Sequence, residues 1–263
     1  MDKRKIAIVV AIGILIVVLL VTSALGSGDN KLAAFDDVLA SPSVLGALAV
    51  SNSTLAQIGI GSSGGSPQHV SAKSTLVLNG KPEILYVGAE YCPYCAAERW
   101  PVIIALMRFG TFSNLHYMTS SHTDVYPDTA TFTFYNSTYQ SSYITFVARE
   151  IVTNKFVNGT YPPLQTLNGT ENSITTALNP SGSIPFIDFA NKSTISGSTY
   201  SPQILQNMNW SQVAAQLAVQ NSTTAQSILG SANLITAQIC KATNNTPASV
   251  CSASYIKRIE SFT

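Results

Sequence analysis

The stretch that most constrains this chain is an apolar tetrapeptide, Ile84-Leu85-Tyr86-Val87, followed closely by Cys92-Pro93-Tyr94-Cys95 and then by a second apolar segment. The tetrapeptide shows no polar alternation, which predicts a central strand covered on both faces. Residues 75–78 predict a short strand before it, joined through Asn79-Gly80, a strong hairpin dipeptide. After Cys95, residues Trp100, Val102, Ile103, Ile104, Leu106 and Phe109 make a helix apolar nearly all round, so it is expected to be buried. Pro93 suits the first helical position. Pro101 lacks an N–H and predicts a kink, and Gly110 is expected to cap the helix. Strand, loop, cysteine pair and buried helix must therefore pack as one unit, with the cysteines at the helix N-terminus.

The rest of the chain reads as α/β. Residues 31–40 and 43–50 have helical spacing and are expected as small helices packed under the main domain. Gly59-Ile60-Gly61-Ser62-Ser63-Gly64 matches the dinucleotide fingerprint, but Gly65-Ser66-Pro67 follows where that motif needs a helix, so it reads as a loop. Residues 115–118, and residues 131–135 and 143–147 around an Asn136-Ser137 turn, predict strands. Residues 164–178 are weakly helical, and residues 184–189 form a short strand entered through Pro185. Residues 201–220 and 222–241 predict two helices, with Ser or Asn available as caps.

The first residues place the chain. Lys3-Arg4-Lys5 precede an apolar run over residues 6–25. Its length matches the ~20 residues of a spanning helix better than the ~7–15 of a signal-peptide core, so an uncleaved signal-anchor is expected. The basic stub, residues 1–5, then stays cytoplasmic and the remainder lies outside the membrane. Residues 26–73 read as linker and small helices, and residues 74–263 as the main domain. Asn-x-Ser/Thr sequons at Asn52, Asn136, Asn158, Asn168, Asn191, Asn209, Asn221 and Asn244 agree with a glycosylated, extracytoplasmic domain. Charged residues make up only 10% and the net charge is +1, which excludes the basic footprint of a nucleic-acid binder. Hydrophobic residues at 46% argue against disorder.

The Cys92/Cys95 pair has three readings. Zinc needs four ligands, commonly in two close pairs, and neither the other two cysteines nor His69, His116 and His122 offer that spacing. A purely structural disulfide would close a very small ring and constrain little of the unfolded chain. A redox-active pair fits best. A thiolate attacks disulfides, and unpaired N–H groups with the positive helix end favour the thiolate at Cys92. Cys92 is then the exposed nucleophile at the cap, and Cys95, one turn inside, resolves the mixed disulfide. Cys240 and Cys251 flank a turn-rich loop. They read as a structural disulfide, the alternative being a relay pair, which their wide spacing disfavours.

The sequence around the pair, Gly88-Ala89-Glu90-Tyr91-Cys92-Pro93-Tyr94-Cys95, resembles the active-site loop of the thioredoxin superfamily, and its Pro-Tyr dipeptide is similar to that of glutaredoxins. With the following Ala96-Ala97-Glu98-Arg99-Trp100 and the later Arg108-Phe109-Gly110, it resembles more closely a thioredoxin-like family of unknown function, often membrane-anchored, found in archaea and some bacteria. The resemblance implies a thioredoxin-like fold, with a central mixed sheet and helices on both faces, enlarged by insertions. It also implies a cis-proline loop at Ile184-Pro185, facing the cysteines and binding the partner's backbone as an added strand. Two departures stand out. Tyr86 occupies the position of the buried acid of thioredoxins, leaving Glu98 and Glu90 as candidate proton acceptors for Cys95. The chain between Cys95 and Pro185 is also much longer than in a minimal thioredoxin. Its extra residues, 119–179, are rich in Tyr, Thr and Phe and read first as sheet edge and cover, second as a substrate face.

These readings converge on a single-pass membrane protein whose outer domain is a thiol–disulfide oxidoreductase. It needs no cofactor or metal. Its partners are proteins with thiols or disulfides, and a membrane thiol oxidase or reductase. The rival reading is a redox-silent, glycosylated binding module that keeps the fold. A third is a copper carrier using Cys92 and Cys95.

Overall fold

The computed structural model describes residues 32–71 and 74–263. The expected anchor, residues 6–25, and the basic stub lie outside the described residues. Among the described residues, no helix is long and apolar enough to cross a membrane. Helices α1 (Pro42–Leu48) and α2 (Asn52–Ile58) come first, then strands β1 (Gln68–His69), β2 (Val77–Leu78) and β3 (Lys81–Gly88). Helix α3 (Pro93–Leu106) leads to β4 (Gly110–Ser113), β5 (His116–Thr119), β6 (Ala130–Thr133), β7 (Thr138–Ser141) and β8 (Thr145–Glu150). Helix α4 (Gly169–Leu178) precedes the hairpin β9 (Phe186–Phe189) and β10 (Ser193–Ser196). Helices α5 (Trp210–Leu217), α6 (Thr223–Ala242), α7 (Ala248–Cys251) and α8 (Ser254–Glu260) complete the chain.

The fold is mixed α/β around one mixed sheet. β3 lies between a parallel neighbour, β8, and an antiparallel one, β9. The hairpin partner β10 and the short β1 extend the β9 side, and β2 pairs with the start of β3. Alternation along the strands sorts side chains onto two faces. Ile84, Tyr86, Ile187 and Phe189 enter the main core with the residues of α3 and α6. Leu85, Val87 and Phe186 meet Ile174 and Leu178 of α4 on the other face. Both faces of β3 are therefore covered, which is why its sequence lacks alternation.

Local chemistry explains the elements nearest the pair. Asn79 (φ 53°) and Gly80 (φ 75°) turn β2 into β3, as their dipeptide predicts. Helix α3 runs through Pro101. The proline leaves the Ala97 carbonyl without its helical donor, and the Tyr200 hydroxyl donates to it at 2.6 Å. Helix α6 is buried along nearly its whole length. Ser222 caps it, and Asn233 Nδ2 donates to the carbonyls of Leu55 and Gly59 at the end of α2. Val44 and Leu48 place α1 in the main core, as expected of residues 43–50, and Leu55 and Ile58 add α2, an unexpected helix; residues 32–40 are not the expected helix but a 3-10 turn, Ala33–Phe35, followed by turn and extended chain.

Several expectations change. Gly110 does not cap α3, which ends at Leu106; it opens β4, where an added Cβ would lie 2.1 Å from the Gln140 carbonyl oxygen of β7. Residues 131–135 and 143–147 are not hairpin partners. β6 pairs with β5 and β8 with β3, while β7 between them pairs with β4. Residues 201–220 are not one helix: a 3-10 turn, Pro202–Leu205, precedes α5, and Asn209 restarts the chain as a capping-box residue. Residues 59–66 form turns and extended chain with no helix after them, as the Gly-Ser-Pro run implies.

Candidate functional site

Cys92 is the N-cap of α3, with extended backbone (φ −75°, ψ 121°), and Pro93 follows at the first helical position. Its Sγ accepts the Cys95 N–H at 3.3 Å, taking the place that a serine or aspartate oxygen fills at most caps. β3 ends at Gly88, and the four-residue connection 89–92 brings Cys92 to the start of α3. The Ile184–Pro185 peptide is cis, and the Ile184 carbonyl oxygen lies 4.0 Å from Cys92 Sγ. The structure thus brings together Cys92, Cys95, Ile184 and Pro185.

The expected exposure of Cys92 is corrected. The residue is 5% exposed and Cys95 is 0% exposed. Ile184 from the proline loop, Ile151 and Val152 beyond β8, and Tyr91 pack around the pair. Apolar side chains from three separate segments close over a position that the cap alone would leave open.

The two thiols are driven in opposite directions. Cys92 is held below the ordinary thiol value. The Cys95 thiol donates to it and outweighs burial, with help from the Cys95 N–H, the Arg99 charge and the Tyr94 N–H. Burial pushes Cys95 well up, its donation to Cys92 and the nearby Cys92 charge add to this, and Arg99 opposes it. Negative charge is therefore favoured on Cys92 over Cys95.

Neither candidate proton acceptor hydrogen-bonds to a cysteine among the described residues. Glu98 is fully buried, and its Oε2 accepts from the Thr199 N–H and hydroxyl, each at 2.8 Å. Burial raises its carboxyl to about 7 against those hydrogen bonds. Glu90 accepts from the Thr133 hydroxyl at 2.7 Å, and burial raises it to about 7 as well. Three residues past Cys95, Glu98 turns towards residues 198–200. One residue further, Arg99 is positioned beneath the pair.

Arg99 is the group that sequence reasoning missed. It is fully buried, as is Glu150 at the end of β8. Arg99 Nε donates to Glu150 Oε1 at 2.9 Å and Nη2 to Oε2 at 2.6 Å, a bidentate pair. Nη2 also donates to the Ala89 carbonyl at 2.9 Å. A signal for it was present: an arginine inside an otherwise apolar helix, in a chain with few charges, needs a buried partner.

The 119–179 extension both builds sheet and lines the site. It supplies β6, β7, β8 and α4. It also donates the Ser121 N–H to the Tyr91 carbonyl at 2.8 Å, and Val152 O accepts the Glu90 N–H at 3.1 Å. Tyr161 stacks on Tyr91 with ring centroids 4.2 Å apart, and Tyr126 meets Tyr94 edge-on at 6.1 Å. Far from the pair, Cys240 and Cys251 form a disulfide, S–S 1.99 Å, joining the end of α6 to α7.

A family model described as a domain of unknown function (DUF929) matches residues 69–181. That window includes Cys92, Cys95, Arg99 and Glu150. No curated protein and no solved structure matches the chain.

Proposed function

We propose that this chain is a thioredoxin-like thiol–disulfide oxidoreductase, anchored in the membrane through residues 6–25, whose outer domain acts on secreted or surface proteins. The observation that carries the reading is Cys92 serving as the N-cap of a buried helix, its thiol held down while that of Cys95 is pushed up. Supporting it is the wiring of the sheet. Strand β3, helix α3, parallel β8, helix α4, hairpin β9–β10 and helix α6 occur in that chain order, with β4–β7 inserted before β8 and α5 before α6, and β3 lies between β8 and β9. A mixed sheet with helices on both faces, enlarged by insertions, agrees with what the thioredoxin resemblance implies, and the cis Ile184–Pro185 peptide precedes β9 with Ile184 packed against the pair.

In the reducing direction the Cys92 thiolate attacks a client disulfide. A mixed disulfide forms and one client thiolate leaves. Cys95 then loses its proton and attacks Cys92 Sγ, the mixed disulfide breaks, and the second client thiolate leaves. The client gains two electrons and two protons, and the Cys92/Cys95 pair becomes a disulfide. The oxidising direction reverses each step. Cys92 is 5% exposed, so an approaching client must displace some of the side chains packed around the pair, among them Ile184 of the proline loop, whose backbone would take the client as an added strand.

The test is the full chain carrying Cys95→Ser, expressed in its own host. The expected result is a set of client proteins linked through Cys92, lost again when Cys92→Ser is added. If no adducts form, and the wild-type chain neither accelerates insulin reduction by dithiothreitol nor oxidises a reduced client, the oxidoreductase reading fails. The redox-silent binding module then stands.

A further inference from the structure

The interior around the pair holds a charge arrangement that the cysteine motif does not require. Arg99 lies four residues after Cys95 on α3, so both occupy one face of the helix. The two meet at one residue: Ala89 packs in one cluster with Cys92 and Cys95, and its carbonyl accepts from Arg99 Nη2 at 2.9 Å. Glu150 anchors the guanidinium from β8, where it is the register partner of Gly88. Two buried polar atoms there have no hydrogen-bond partner: Arg99 Nη1 and the Tyr86 hydroxyl. Tyr86 reaches the same spot, since a Cβ on Gly88 would lie 2.5 Å from its Oη.

Resting on the oxidoreductase reading, we infer that the buried Arg99–Glu150 pair is the charge device of the dithiol, a positioning pair that stabilises negative charge on the Cys92 and Cys95 sulfurs and so sets their thiol–disulfide equilibrium. Thioredoxins place a buried acid at the Tyr86 position; here a cation with a tethered counter-charge lies beneath the sulfurs. The Arg99 charge favours the thiolate at both cysteines, which agrees with the geometry. Glu150 offsets part of that charge and fixes the direction of the guanidinium. The other titratable groups around the cysteines are Tyr86 on β3, Glu90 and Tyr91 in the loop, Tyr94 on α3, and Asp124 and Tyr161, which face Tyr91 from the extension.

The consequence is clearest when the chain acts as oxidant. A client thiolate attacks Cys92 Sγ of the Cys92–Cys95 disulfide. The S–S bond breaks, and Cys95 leaves as a thiolate with the electron pair. The client's second thiolate attacks its own sulfur in the mixed disulfide, and Cys92 leaves as a thiolate. The client has lost two electrons and two protons, and the pair has gained the electrons. Both leaving sulfurs carry negative charge close to Arg99, so its charge speeds their departure and favours the reduced pair.

The experiment compares the full chain with Glu150→Gln, with Arg99→Met/Glu150→Leu and with Arg99→Lys. The readouts are the pH midpoint for alkylation of Cys92 by iodoacetamide and the equilibrium constant with glutathione. Glu150→Gln leaves the cation uncompensated. It is expected to lower the midpoint and make the pair more oxidising by about tenfold in the equilibrium constant, which is ~30 mV for a two-electron couple. The double variant removes both charges without leaving one buried alone, and is expected to shift both readouts by a similar factor the opposite way. Arg99→Lys retains the charge and is expected to remain near wild type. A merely structural role would move all variants in one direction by loosening the burial of the pair. Shifts of the same sign for Glu150→Gln and the double variant, or no shift in either, overturn the inference. The midpoint needs no client. Opposed shifts in a chain that traps no clients would sustain the charge assignment while the oxidoreductase reading fails, and trapped clients without the shifts would do the reverse.

Discussion

Replacing Glu98 with Gln should flatten the pH dependence of stability. Glu98 is fully buried, and its carboxyl is raised from 4.5 to about 7, chiefly by burial. In the unfolded chain it returns to its ordinary value. Between those two values the folded state therefore binds a proton that the unfolded state has released. Unfolding free energy falls as pH rises through that window; the stabilisation is complete below the unfolded value and lost above about 7. At about 1.4 kcal/mol per pH unit, the swing from this one group is on the order of 3 kcal/mol. Glu90 and Asp188, each raised to about 7 by burial, and Asp36, raised to about 6 by the same cause, share this sign, so the wild-type slope is steeper still. The glutamine keeps an oxygen for the Thr199 N–H and hydroxyl. Its amide occupies the place of Oε1, which already lacks a partner, so the fixed cost of the change does not vary with pH. The assay is chemical denaturation of the full chain and the variant from mildly acidic to mildly alkaline pH. Curves that stay parallel across that range would refute the reasoning, since the buried carboxyl would then not change protonation on unfolding.

Two other outcomes follow from packing and connectivity. Replacing Cys240 and Cys251 together by Ser should cost about 3 kcal/mol, from the loop entropy of an eleven-residue separation, read as a lower denaturation midpoint; an unchanged midpoint would show that the bond constrains nothing. Gly88→Ala should destabilise by about 1–3 kcal/mol through overpacking, because its methyl would meet Tyr86 Oη at 2.5 Å and Cε1 at 2.7 Å. Tyr86→Phe alone should be nearly neutral, since the hydroxyl it removes has no partner. In that background Gly88→Ala should cost less but still register, and equal costs in both backgrounds would place the conflict elsewhere.

What could be read in advance was what short segments carry themselves. The unpatterned apolar strand, the Asn79-Gly80 turn, the cysteine pair before an apolar helix, the Ser222-capped helix and the Cys240–Cys251 loop are all local signals, and each appears where the sequence puts it. Strand β10, Ser193–Ser196, escaped because its residues are small and polar although Ser193, Thr194 and Ile195 are buried. Helix α2 escaped because its seven residues, Asn52–Ile58, behind the Ser51 cap are too few to show a clear period. The burial of Cys92 escaped for a different reason: Ile184, Ile151 and Val152 come from two segments more than fifty residues downstream, and no local pattern announces that they converge on the cap.

The charges divide in a way that bears on function. Glu90, Glu98 and Asp188 are buried and Asp36 is partly buried, and burial raises each of them towards neutrality. Their hydrogen bonds come from hydroxyls, amides and backbone N–H groups such as those of Thr119, Asn154, Thr133, Thr199 and Asn191. Glu150 differs, because a fully buried arginine grips it with two hydrogen bonds. Burying such a pair gains little stability over apolar residues of the same shape. A chain with so few charged residues could have filled this position with leucine, as it does elsewhere in the sheet. The pair instead holds the carbonyl of Ala89, which packs with Cys92 and Cys95, where an uncompensated sulfur anion would be hardest to hold. On the proposed oxidoreductase reading, its location makes sense as support for charge that would form and disappear on the two sulfurs; stability alone does not explain it.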